Sequence, residues 1–289
     1  IEFNADETQV DWDGDGNLEH GAEGDDTGGF SPIGGLGSVD GTKQFTGHYN
    51  GGQYVIRNLY INRGTLSNQA LFGYVDRGKV ERVGLVNANV KGKNTTGILV
   101  GTNYGTVSQS FATGVVEATE TGQPVNSGGL VGNNQEVIEN SYSIVEAIGI
   151  QRIGGMVGLN ADRITNSYSS SIVADGTNKG GLVGLATSTS NVSNSYYNSD
   201  LSSSTNTTAS QAGVGKTTVE LQDIATFSGW DFTSIWTMND DNPEANFPLL
   251  AWQVKSVFDS GDGTAQNPFV ITTTEALAEI EENLDAHFL

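Results

Sequence analysis

The chain has no cysteine among its 289 residues, which excludes a disulfide framework and a thiolate metal site. Proline is scarce, with 5 residues, and the 39 glycines follow no collagen period. No apolar run reaches the roughly 18 residues of a membrane-spanning helix, so membrane insertion by helices is not expected. Basic residues are few: 13 Lys and Arg stand against 34 Asp and Glu, a formal charge of −21. Nucleic acid and anionic membrane both call for basic surface, so neither is an expected partner. The acidity suits cation binding, high solubility and saline surroundings, and a halophilic intracellular protein would show the same balance. No secretory leader is visible, and Ile1 reads as the start of a mature fragment or of one excised repeat.

What the chain does have is a repeat. The phrases GILVG (97–101), GGLVG (128–132), GGMVG (154–158) and GGLVG (180–184) start 31, 26 and 26 residues apart. Each is followed by a second phrase: VSQSF (107–111), IENSY (138–142), ITNSY (164–168) and VSNSY (192–196). The aromatic lies 10 residues past the last glycine in the first three copies and 12 past it in the fourth, so a two-residue insertion sits there. ALFGYV (70–75) with VERVGL (80–85) is a weaker earlier copy.

A unit this short cannot bury a core alone and must stack on its neighbours. It holds short β-prone runs broken by Gly, Asn, Asp and Ser, with no helix-length apolar period. The predicted fold is therefore all-β: a single β-solenoid with one unit per coil and coils about 4.8 Å apart. Leu99, Leu130, Met156 and Leu182 should form one interior ladder, and Val107, Ile138, Ile164 and Val192 a second. Phe111, Tyr142, Tyr168 and Tyr196 should form a third. The glycines are expected at tight corners, where φ > 0 or close backbone approach excludes a Cβ. Asn140, Asn166 and Asn194, beside Ser141, Ser167 and Ser195, are expected to bond from coil to coil.

Four regions follow. Residues 1–50 form an acidic segment and the first coils, with Phe45, Tyr49, Val55, Leu59 and Ile61 partly inward once the strands of 30–65 are counted. Residues 51–205 form the solenoid, 206–257 a Trp-rich closing segment, and 258–289 a turn and capping helix. Thr217 with Glu220 fits a capping box and predicts a short helix near 218–224. Trp230, Trp236 and Trp252 should plug the solenoid end. Leu277, Ile280 and Leu284 lie at helical spacing and predict a C-terminal α-helix, about 274–287, acting as a cap.

GGLVG…IxNSY is similar to the GLUG motif of large bacterial surface proteins, adhesin-like proteins and some IgA-peptidase relatives, over about 70–200. The stretch 213–253 resembles the segment that closes such a region, and 261–288 the one that opens it. The resemblance implies an extracellular, right-handed β-helix with adhesive or scaffolding use, and brings no catalytic residues. Here the opening segment comes last. The order suits one register of a tandem array, or a subunit whose C-terminal helix caps the next copy head to tail; a contact of that kind does not close and gives a fibre. An arbitrary end at the start of a different domain is the alternative.

The sharpest chemical motif is DWDGDGNLE (11–19). Asp11, Asp13, Asp15, Asn17 and Glu19 place oxygen ligands at alternate positions, as a Ca2+ loop needs. The match to an EF-hand then fails: Ala22 stands where a bidentate Glu belongs, so Glu23, Asp25 or Asp26 would complete a different loop. A solvated acidic loop is the plain alternative. Asp259 and Asp262 read as a turn. SQAGVGKTT (210–218) has Ser210 where a phosphate loop requires Gly. His20, His48 and His287 lie far apart and match no nucleophile motif. The sequons at Asn94, Asn191 and Asn206 are what Asn/Ser/Thr-rich coils produce by chance.

The expected function is an extracellular or cell-surface structural and adhesive module, calcium-stabilised, not an enzyme. Its expected partners are copies or adjacent repeats of itself and a glycan or surface target. The alternative is a β-helix that binds or degrades polysaccharide.

Overall fold

The computed structural model describes residues 28–35, 44–52, 54–122, 124–174, 176–187, 190–205, 213–238, 246–254, 264–266, 268 and 270. The chain divides into a unit ending at Leu250 and a short second unit from Ala251. In the second, Ala251–Gln253 form a 3-10 turn and Trp252 is buried. The expected helix at 274–287, Asp259 and Asp262 lie outside the described residues.

The first unit is a parallel β-solenoid. Its coils occupy 69–92, 96–118, 127–148, 153–173 and 179–198, preceded by the short strands of 48–63. One face carries Phe72–Glu81, Val100–Ser108 and, beyond them, Val131–Asn134 with Val137–Glu139, and Val157–Asn160 with Arg163–Thr165. A second face stacks Gly84–Gly92, Phe111–Ala118, Tyr142–Ile148, Tyr168–Ser169, Tyr196–Asn198 and Val214–Lys216. A narrow third face stacks Thr96–Gly97, Ser127–Gly128, Ile153–Gly154 and Lys179–Gly180. Every pairing between coils is parallel. The one antiparallel pair among the described strands is Trp236–Met238 with Pro248–Leu250.

Both aliphatic ladders form as the repeat predicts. Val107, Ile138, Ile164 and Val192 are register partners in turn. Leu99 donates its N–H to the Leu130 carbonyl, Leu130 to Met156 and Met156 to Leu182. All eight are buried, and a fully buried side chain of this size contributes about 1.5–3 kcal/mol. The weaker copy is a true coil: Phe72 pairs with Val100 and Val80 with Val107. Before it, Ile61 in Tyr60–Arg63 and Leu59 just ahead of that strand are fully buried. The insertion in the fourth copy lies between Val183–Ala186 and Asn191–Ser193.

The third ladder forms but faces the other way. Along Tyr142–Ile148, Val145 and Ala147 belong to the core and Glu146 is exposed. Side chains alternate across a strand, so Tyr142 shares the outward side with Glu146. Phe111 and Tyr168, its register partners, follow. The aromatics thus line the outer flank of the coils.

At the corners the close backbone approach expected of the glycines holds, while the positive φ falls to asparagines. Asn140, Asn166 and Asn194 carry the left-handed backbone, with φ of 48°, 47° and 44°. Asn tolerates that region better than most residues, because its short amide can bond locally. The glycines are needed for space instead. A Cβ on Gly154 would lie 1.9 Å from the Val157 carbonyl oxygen, and one on Gly128 2.0 Å from that of Val131.

Candidate functional surface

Two polar columns run through the coils. Ser110, Ser141, Ser167 and Ser195 each donate Oγ–H to the carbonyl two residues back, at 2.8 Å. Each Oγ also accepts, at 3.2 Å, an N–H of the preceding coil: from Val83, Ser110, Ser141 and Ser167 in turn. In the NSY phrase Asn therefore turns the corner, Ser ties it to the previous coil and Tyr points outward.

The second column was not foreseen. Asn103, Asn134 and Asn160 are fully buried. Asn103 Nδ2 donates to Asn134 Oδ1 at 2.8 Å, Asn134 Nδ2 to Asn160 Oδ1 at 2.7 Å, and Asn160 Nδ2 to Ser190 Oγ at 2.6 Å. The signal was present as an Asn two places after the last glycine of three phrases; the fourth has Ala186.

The aromatic flank is covered by the closing segment. Tyr142 stacks between Phe111 and Tyr168, with centroids 4.9 and 5.0 Å away. Trp236 lies against Tyr142 and Tyr168 and only 4.4 Å from Trp230, which meets Tyr168 and Tyr196. Tyr168 donates its hydroxyl to the Pro248 carbonyl at 2.8 Å, and Trp230 Nε1–H to that of Asn194 at 2.8 Å. Trp230 and Trp236 thus seal a side of the solenoid, where an end plug was expected. Burial, and then the neighbouring Tyr142, push the Tyr168 phenol well above its ordinary value of 10.

The short helix is Thr218–Leu221, with the expected capping box, and a separate 3-10 turn follows at Ile224–Phe227. The Thr217 N–H, then Lys216 and the Thr217 hydroxyl, hold the Glu220 carboxyl down at about 2. In the resembling phosphate-loop stretch, Val214–Lys216 is a strand on the last coil and Lys216 Nζ is paired with Glu220 at 2.9 Å.

Asp11, Asp13, Asp15, Asn17 and Glu19 lie outside the described residues. Within the described residues, no three His, Asp or Glu side chains converge as a metal site would need. His48 Nε2 lies 2.9 Å from Glu81, whose carboxylate also accepts from Asn50 and pairs with Lys79. Burial raises the Glu81 carboxyl, but hydrogen bonds and charge from Lys79 and His48 outweigh it and leave the group below its ordinary range. The described residues hold 12 of the 34 acids and 11 of the 13 Lys and Arg, so the coils are close to neutral and the acidity belongs to the other segments. No helix among the described residues is long and apolar enough to cross a membrane.

Beside this geometry stand the comparisons with known proteins. No family model matches the chain. A stretch of 105 residues, 36% of the chain, is 39% identical to Halomucin of Haloquadratum walsbyi. That stretch spans 1% of the length of Halomucin. The 1.30 Å crystal structure of a protein from Bacteroides ovatus, provisionally named an immunoglobulin A1 protease, matches 77% of this chain and 81% of its own with a TM-score of 0.54. At 20% identity the likeness is one of fold. The chain is thus a β-solenoid with a partial relative in Halomucin.

Proposed function

We propose that the chain is an extracellular structural and adhesive module of the GLUG type, working as one unit of a tandem array or head-to-tail fibre. The observation that carries this reading is the continuity of the Ser and Asn columns from coil to coil. A body tied at every coil by backbone ladders and buried side-chain bonds is suited to span distance and bear load. The likeness to Halomucin supports a surface setting. The order of opening and closing segments in the sequence supports serial assembly, with 258–289 as the joint.

In this reading the loop of Asp11, Asp13, Asp15, Asn17 and Glu19 takes Ca2+ and stiffens the acidic N-terminal region, where carboxylates would otherwise repel. A cation that binds the folded state alone stabilises it by RT ln(1 + [L]/Kd), about 2.7 kcal/mol at a hundredfold excess over Kd. The role is non-catalytic; the protease name belongs to the fold neighbour.

Electron microscopy of the purified chain with calcium and with EGTA tests both parts. Fibres with an axial repeat of one subunit are expected in calcium. Short single rods in both conditions would overturn serial assembly, and a melting temperature unmoved by millimolar calcium would overturn the loop assignment.

A further inference from the structure

One stacked tyrosine pair of the early coils lies away from the Trp cover. Tyr74 and Tyr104 stack across neighbouring coils, with centroids 5.5 Å apart and planes 16° from parallel. Tyr104 remains 39% exposed. Its register partner is Asp76, which accepts from Arg77 Nη2 at 3.1 Å. Arg77 has φ of 55°, at the register shift between Asp76 and Lys79. That backbone is costly for Arg. At the bulge the Arg77 side chain is 85% exposed and paired with Asp76, the register partner of Tyr104. On the other side, Thr102 and Asn133 continue the row of Tyr74, and Gln135 Nε2 donates to Asn133 Oδ1 at 2.7 Å.

We propose that Tyr104, backed by Tyr74 and rimmed by Asp76, Arg77 and Asn133, binds a neutral pyranose unit of an oligosaccharide. A ring face attracts the C–H side of a sugar, while a carboxylate, a guanidinium and an amide at its edge match hydroxyl groups as acceptors and donors. The Asp76–Arg77 pair cancels its own charge, so nothing here selects an anionic ligand. One exposed ring with a polar rim falls far short of the roughly 800 Å² per partner of a stable protein interface. The row also runs along the stacking direction, where successive coils could meet successive sugars. The site would give the adhesive role above its target class, and rests on that reading only for its purpose.

The test is a titration of the whole chain, as single molecules, with cello-, chito- and malto-oligosaccharides, followed by saturation-transfer NMR and calorimetry. At least one should bind at about millimolar Kd or tighter. Tyr104→Ala should weaken binding roughly tenfold, while Tyr104→Phe, which keeps the ring, should stay within about threefold. Should the alanine variant fail to fold, Arg77→Ala at a solvent-facing side chain takes its place, with a loss of about threefold expected. No binding by any of the three glycans, or binding unmoved by these substitutions, would overturn the site. Fibres in the microscope without saccharide binding would sink this inference alone; binding without fibres would sink serial assembly alone.

Discussion

The early and late coils share the Ser and Asn columns but differ in what lies beside them. In 69–118 the strands are long: 10 residues in Phe72–Glu81, 9 in Gly84–Gly92 and in Val100–Ser108, 8 in Phe111–Ala118. Ion pairs between coils decorate their surface, Lys91 with Glu117 at 3.0 Å and Lys93 with Glu120 at 3.1 Å. In 153–198 no strand exceeds 4 residues, and buried Asn and Ser bonds tie each corner to the next. Exposed ion pairs are worth about 0–1 kcal/mol. A buried polar group left without its partner costs about 1–3 kcal/mol. The late coils should therefore be the more brittle part, held by few groups that must all be satisfied.

The largest effect should come from the aromatic cover, which shields late coils far more than early ones. Trp236→Ala removes a ring that is 1% exposed and meets Tyr142, Tyr168 and Trp230. A loss of about 3–5 kcal/mol is expected by denaturant titration. In hydrogen exchange, amides of 142–198 should lose protection while those of 72–92 keep theirs. Equal loss in both regions would show that the solenoid opens as one cooperative body and would break the comparison.

That cover was only half legible in the sequence. Period and phrase spacing revealed the coils and both aliphatic ladders, since an inward position must be apolar in every coil. The side of the aromatic ladder was not legible. A Tyr at a repeated position can face the core or a covering segment, and only the parity with Val145 and Glu146 separates the two. The Asn column hid for a related reason: a buried amide looks like any turn residue until its partner lies one coil away. The Tyr74–Tyr104 pair carries no repeat signal, because it belongs to the one bulged pair of coils. The acidic loop at Asp11–Glu19 keeps its standing as a motif of the sequence, lying outside the described residues.

A smaller effect sharpens the comparison directly. Asn160→Ala, in the late coils, strips the acceptor of Asn134 and the donor to Ser190 at a fully buried position. It should cost about 2–3 kcal/mol. The matched early change, Lys91→Ala, breaks the pair with Glu117 and should cost under about 1 kcal/mol. Both are read as shifts of the urea midpoint at constant slope. Equal shifts would mean that the columns are decoration and that backbone ladders alone hold both regions.

The smallest effects are those of pH, and the two regions should answer at opposite ends. Tyr168, in the late coils, has its phenol raised well above 10 by burial and by Tyr142. A raised value means the folded state keeps the proton that the unfolded state releases. Stability from this group is whole below about pH 10 and falls as pH rises beyond it. Glu81, in the early coils, is lowered by Lys79 and His48 against its burial. Its contribution is whole above the ordinary carboxyl range, near 4.5, and falls as pH drops below it. In the difference between the alkaline titrations of the chain and of Tyr168→Phe, which cancels the other eight tyrosines, phenolate absorbance should appear together with the Trp fluorescence change, since Tyr168 ionises only as the cover over it opens. Acid titration of Glu81→Gln should show a flatter loss of stability below pH 4.5 than the parent chain, with Trp236 undisturbed until later. If the phenolate of Tyr168 in that difference appeared before any Trp signal, Tyr168 would be reachable in the folded chain, and the flank of the late coils could not be the sealed face that its ring contacts describe.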